Sequence, residues 1–163
     1  QTDFGRPLHV IEERLRIGSR CLLATKQGQL VGFQWFTTQD YPEDEVRCVF
    51  ELRPEDRCAW DFDIFVSPEW RTQPVFLRLW DACNELLRRQ DIELTLSRIN
   101  AFNTASVRAH ARLSATLIGT ATFLTWGRWQ LALLPTSPRI HISIRSTPRI
   151  AASRLARRGQ KTA

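Results

Sequence analysis

Methionine is absent from the 163 residues, and tyrosine occurs once. The chain also starts at Gln1, so the expectation is a processed or truncated piece, in which a missing targeting signal carries no weight. Long apolar runs are missing too. None approaches the roughly 20 residues that span a bilayer, so no membrane partner is expected. Cysteine is sparse: Cys21, Cys48, Cys58 and Cys83 stand ten residues or more apart. No close pair offers zinc or thioredoxin-type chemistry, and reduced, buried thiols in a cytoplasmic protein are expected. The three histidines are scattered. Neither H-x-x-x-H nor G-x-S-x-G occurs, which leaves zinc-dependent and serine hydrolysis without support, and no metal is expected.

Acid is missing from the second half altogether. All 17 carboxylates lie in residues 1–93, against 12 basic residues there, a net of −5. Residues 94–138 hold four arginines, and residues 139–163 hold seven basic residues. The overall charge of +6 therefore belongs to the second half and the C-terminal end. A basic end of this kind contacts phosphates without sequence specificity. No aromatic residue interleaves it and no base-reading motif accompanies it, so nucleic acid is not the expected partner.

What is present suits one packed domain. The hydrophobic share is 43%, with six tryptophans and nine phenylalanines, and the length allows a single core. Residues 8–17 carry Leu8, Ile11 and Leu15 near one helical face, stopped by Gly18. Two strands, about 20–26 and 30–38, flank a Gln-Gly-Gln turn. Residues 46–52 and 58–66 read as further strands. The amphipathic run 75–90 places Phe76, Leu79, Trp80, Cys83, Leu86 and Leu87 at helical spacing. A strand at 92–97, a helix at 104–113 and a hairpin of 115–126 with 128–134 complete a mixed α/β pattern with one central sheet. Residues 137–163, with Ser-Pro-Arg at 137–139 and Thr-Pro-Arg at 147–149, read as a solvated tail, in which 140–144 could add an edge strand.

Two local patterns carry a resemblance. "FVSPEWRTQPVF" runs from a strand into a helix, and "NTASVRAHARLSA" follows the next strand. Together with the element order over residues 8–134, they resemble the GNAT superfamily of acyl-CoA N-acyltransferases. The resemblance implies a single GNAT-like domain over 1–136, with a central mixed, largely antiparallel sheet flanked by helices. A basic C-terminal tail over 137–163 follows it. It also implies acetyl transfer from acetyl-CoA, the acyl-donor cosubstrate, to a primary amine of an acceptor.

In that family a loop of pattern Q/R-x-x-G-x-G/A cradles the cofactor pyrophosphate. Arg71 matches its first position, but Pro74 and Phe76 replace both glycines. Proline has no N–H to offer a phosphate, and a phenylalanine ring stands where close backbone approach wants no side chain. A catalytically degenerate binding or regulatory module is therefore the alternative. The resemblance assigns acetyl-CoA to Phe65, Val66, Arg71, Thr72, Gln73, Val75 and Phe76, with Asn103 and Ser106 from the second pattern. His110 stands where the family often has a tyrosine that protonates the thiolate of CoA. A histidine near its ordinary pKa of about 6.5 is competent for that work. The carboxylate base is expected at Asp63 or Asp61, with Glu51 as a third candidate. Spaced by two, Asp61 and Asp63 are expected on one strand face, roughly 6.5–7 Å apart. Trp35, Phe36 and Tyr41 fall where the family's acceptor pocket would be lined.

Overall fold

Helix α1 (Leu8–Arg16) ends on Gly18, whose φ of 85° only glycine adopts without cost. Gly18 N–H donates to Leu15 O and Ser19 N–H to Arg14 O, so the Schellman geometry satisfies two orphan carbonyls. Strands β1 (Arg20–Lys26) and β2 (Gln29–Thr37) then pair antiparallel. Gln27 and Gly28, both at positive φ, form the two-residue turn that matches strand twist. This computed structural model describes residues 4–160, with the side chains of 158–160 left aside.

The chain next makes an excursion through β3 (Tyr41–Pro42) and β4 (Val49–Phe50) before β5 (Cys58–Val66) returns antiparallel to β2. A short 3-10 turn at Pro68–Trp70 leads into α2 (Val75–Arg88), followed by β6 (Leu94–Leu96) and α3 (Thr104–Arg112). Strands β7 (Thr122–Trp126), β8 (Trp129–Leu133), β9 (Ile140–Ser143) and β10 (Arg149–Ile150) and helix α4 (Ala152–Gln160) complete the α/β fold. None of the helices among the described residues is long and apolar enough to cross a membrane.

The one central sheet expected from the sequence is divided. Its hydrogen bonds fall into sheets of order β1-β2-β5-β6, β10-β4-β3 and β7-β8-β9. The chain folds as two compact units, one of residues through Gln39 with Arg57–Thr95, the other of Asp40–Asp56 with residues from Leu96 onward. In the first, α2 covers one sheet face through Val75, Leu79, Cys83 and Leu87, which meet Val31, Phe36 and Ala59. Each such fully buried side chain contributes about 2 kcal/mol. Gly32 permits the contact: a Cβ there would lie 2.8 Å from Phe65 O and 3.2 Å from Val75 Cγ1.

The second unit overturns the reading of 137–163 as a solvated tail. β9 pairs with β8, β10 runs parallel to β4, and Ile150, Ala152 and Ala156 are buried. The acidic excursion supplies the counter-charges. Arg149 bridges Asp40 and Glu51, Ser153 Oγ donates to Asp56 Oδ2 at 2.5 Å, and the Arg157 guanidinium reaches Asp56 O. Gln130 fixes the same excursion: it accepts from Arg47 N–H at 2.8 Å and donates to Arg47 O at 2.7 Å.

Candidate active site

The register of β5 against β2 slips by one residue where the candidate acids lie. Phe33 opposes Phe65 and Trp35 opposes Phe62, so β5 spends three steps where β2 spends two. Asp63 and Ile64 together face Gln34, and Asp63 takes φ 51°. This is a β-bulge, which re-aims side chains and bends the strand. Asp61 and Asp63 therefore do not share one face as their spacing predicts.

Asp61 opposes Phe36 across the strands, on the face that α2 covers. It is buried, and desolvation pushes its carboxyl up from an ordinary 3.8 to about 8. The acid is thus neutral at pH 7. Gln34, on the same face, is fully buried, and its Oε1 and Nε2 find no hydrogen-bond partner among the described residues.

Asp63 has other neighbours. Its Oδ2 accepts from Arg14 Nη1 at 2.7 Å and from Arg6 Nε at 3.3 Å, and its side chain keeps 21% of its surface in solvent. The Arg14 guanidinium lies 5.4 Å from the Trp35 ring centre and 5.0 Å from that of Phe62. Sequence reasoning passed over Arg14, although it falls three residues after the buried Ile11, on the same side of α1. Phe65 stacks on Phe33 at 5.4 Å, extending this aromatic face. Trp35 and Phe36, expected together as acceptor-pocket lining, point to opposite faces of β2 because they are adjacent in a strand.

Beyond Val66 the loop turns back on itself. Arg71 Nε donates to Val66 O at 3.2 Å, Trp70 N–H to Ser67 O at 2.8 Å, and Gln73 N–H to Trp70 O at 3.0 Å. Pro74 is the N-cap of α2, one position earlier than the first helical turn. The first-turn N–H groups of Val75, Phe76 and Leu77 have no acceptor within the helix, and that turn holds no acid. Anions are favoured there by the helix dipole. Thr72 is exposed at the loop tip, and Phe76 packs edge-on against Trp80 at 6.4 Å, one turn along α2.

The second pattern forms α3. Asn103 caps it, its Oδ1 accepting from Ser106 N–H at 3.0 Å. His110 is buried, with Nδ1 2.8 Å from Ser106 O. A carbonyl only accepts, so Nδ1 carries the hydrogen, and Nε2 of neutral His110 is an acceptor. His110 donates a proton elsewhere only as the imidazolium. Glu51, the third candidate base, is paired with Arg149 at 2.5 Å, and Tyr41 lies opposite Phe50 in the small sheet.

The structure thus brings Asp61, Asp63, Phe65, Val66, Arg71, Thr72, Gln73, Val75 and Phe76 onto one strand–loop–helix segment. Asn103, Ser106 and His110 come together on α3 in the other unit. Burial pushes the thiols of Cys21, Cys48 and Cys83 up to about 12, which removes them as nucleophiles near neutrality. No cluster of metal-ligating side chains exists among the described residues.

Solved structures share this fold. A soil-metagenome aminoglycoside acetyltransferase, in complex with trehalose, aligns with a TM-score of 0.54 at 12% identity, covering 77% of this chain and 78% of its own. The ribosomal-protein-alanine N-acetyltransferase of Brucella melitensis gives 0.51 at 20%, covering 75% and 70%. AAC(6')-Iy, in complex with the bisubstrate analogue CoA-S-monomethyl-acetylneamine, gives 0.53 at 22%, covering 75% and 82%. A search of curated proteins finds no significant match. The sequence model of the acetyltransferase (GNAT) family matches residues 3–115, more than half of the chain. With that match on the bulged β5–loop–α2 segment and the α3 segment alike, the chain belongs to the acetyltransferase (GNAT) family.

Proposed function

We propose that the protein transfers an acetyl group from acetyl-CoA to a primary amine. The bulge in β5 carries this reading: it separates two carboxylates of one strand into a sealed neutral acid, Asp61, and a partly open one, Asp63. Asp63 takes the proton of the attacking amine, directly or through water. Arg14 and Arg6 hold its carboxylate in place until an acceptor arrives. The amine nitrogen bonds to the thioester carbon, the C–S bond breaks, and the CoA thiolate leaves. The family resemblance is what offers His110, as imidazolium, for the return of a proton to that sulfur. Asp61 serves the sheet's interior and touches no substrate.

Arg71, Thr72 and Gln73, with the first-turn amides of Val75 and Phe76, supply donors and positive potential for the pyrophosphate. Phe65 and Val66 lead into them, and Asn103 and Ser106 begin the helix that carries His110. A second reading, a GNAT-fold module without catalysis, is favoured by one observation. Pro74 has no N–H, and the amides of Trp70, Arg71 and Gln73 are already committed within the loop.

Calorimetric titration with acetyl-CoA and with free CoA separates the two readings. Saturable micromolar binding, weakened by Arg71→Ala, is expected for the transferase. Absence of binding at millimolar ligand overturns it. An acceptor screen by thiol release follows, starting with aminoglycosides and N-terminal alanine peptides, the classes named for the structural neighbours. Asp63→Asn is expected to lower kcat by about 10²-fold or more with cofactor binding intact.

A further inference from the structure

The three-stranded sheet β7-β8-β9 shows an apolar face to solvent. Residues directly opposite one another share a face. Trp126 opposes Trp129, Leu124 opposes Leu131 with Ile142 beyond it, and Leu133 opposes Ile140. Their exposures are large: 87% for Trp126, 62% for Ile142, 58% for Leu124 and 57% for Trp129. On the other face Ala132 and Gln130 are buried, and Phe123, His141 and Ser143 are partly covered. The exposed side chains together present on the order of 800 Å² of apolar surface. Typical monomers leave a few hundred Å² in one patch, and a stable interface takes about 800 Å² from each partner.

The area and the uncharged centre of the face select the occupant, against a rim of one sign. Among the strand positions of this face none is charged, and Thr122 is its one hydroxyl-bearing residue. Arg128 lies in the turn, with Arg139 just before β9 and Arg145 just after it, all at strand ends. No acid occurs anywhere after residue 93. An uncharged centre of Leu124, Leu131 and Ile142, with Trp126 and Trp129 at the turn end and charge confined to the perimeter, is the anatomy of a homodimer interface. A two-fold axis in the plane of the face matches such a surface with itself, and two sheets pack face to face about 10 Å apart.

We propose that the outer face of β7-β8-β9 joins a second copy of this chain in a two-fold, sheet-on-sheet dimer. The rim carries one sign of charge, so the two copies repel at the perimeter while their centres attract. Added salt screens that repulsion and strengthens the dimer. An anionic membrane or a nucleic acid on the same face behaves oppositely, because its attraction to the arginines is screened.

Sedimentation velocity of the whole chain tests this over a range of protein and salt concentrations. The expected result is twice the monomer mass, with a dissociation constant that falls as salt rises from about 0.05 to 0.5 M. Leu124→Lys with Ile142→Lys weakens the dimer about 100-fold or more, with circular dichroism and melting unchanged. Arg145→Glu is the second variant: it relieves rim repulsion and tightens the dimer several-fold at low salt. If the lysine pair disturbs folding, this variant and the salt series decide the outcome. A chain that stays monomeric at about 100 µM overturns the proposal, as does dimerisation unchanged in the folded lysine variant. Association that requires anionic vesicles or nucleic acid and weakens with salt overturns it as well.

Discussion

Asp61 makes the stability of this protein depend on pH in the direction opposite to an ordinary salt-bridged acid. Its carboxyl titrates near 8 when folded and near 3.8 when the chain is open, because burial against α2 penalises the charge. Between those values the folded state holds one proton that the unfolded state has released. Stability therefore falls as pH rises, by about 1.4 kcal/mol for each pH unit. The effect is complete below the unfolded pKa and gone above the folded one. Across the whole window it reaches on the order of 5 kcal/mol, comparable to the total stability of many domains.

Urea unfolding of the protein and of Asp61→Asn at pH 5, 6, 7, 8 and 9 reads this out. Asparagine is a neutral isostere of the protonated acid at every pH, so the variant lacks the slope. From pH 5 to 7 the wild-type midpoint drops by about 1–2 M relative to the variant, taking a typical denaturant dependence of ~2 kcal/mol per molar. Above pH 8 the variant is the more stable protein. A difference between the two midpoints that stays constant from pH 5 to 9 would refute the neutral, buried acid.

Three further outcomes follow from the same unit. Gly32→Ala places a Cβ 2.8 Å from Phe65 O and 3.2 Å from Val75 Cγ1, and thermal unfolding should show a loss of about 1–3 kcal/mol. Arg14→Ala leaves Asp63 without its 2.7 Å partner and uncovers Trp35 and Phe62. Denaturant titration should find about 3 kcal/mol lost, and a loss below ~1 kcal/mol would mean that water replaces the guanidinium at no cost. Gln34→Leu removes a buried amide that finds no partner among the described residues. It should raise the urea midpoint, by an equivalent of about 1–3 kcal/mol, and a lowered midpoint would reveal a hydrogen bond that the amide makes.

Local pattern was enough for most elements. The α1 stripe with Gly18 behind it, the hairpin about Gln27–Gly28, the aromatic strand β5 and the long stripe of α2 all lie within a residue or two of their sequence positions. These rest on periodicity and turn chemistry, which neighbours in sequence suffice to specify. β4 was expected over 46–52 but pairs only at Val49–Phe50, since its partners are Tyr41–Pro42 and the distant Arg149–Ile150. Asn103 caps α3 by equally local means, its amide oxygen reaching the Ser106 N–H.

By itself the sequence determined the α/β order of elements, the family patterns at 65–76 and 103–110, and a division of charge between acidic first half and basic second half. Tertiary structure decided what each of these does. A one-residue slip against β2 sent Asp61 and Asp63 to different neighbours, because register is fixed by pairing with another strand and not by spacing along one. The basic C-terminal stretch became β10 and α4 because Asp40, Glu51 and Asp56, some hundred residues earlier, meet Arg149, Ser153 and Arg157. Charge along a chain says how much attraction is available, and only the fold says which groups come within its reach.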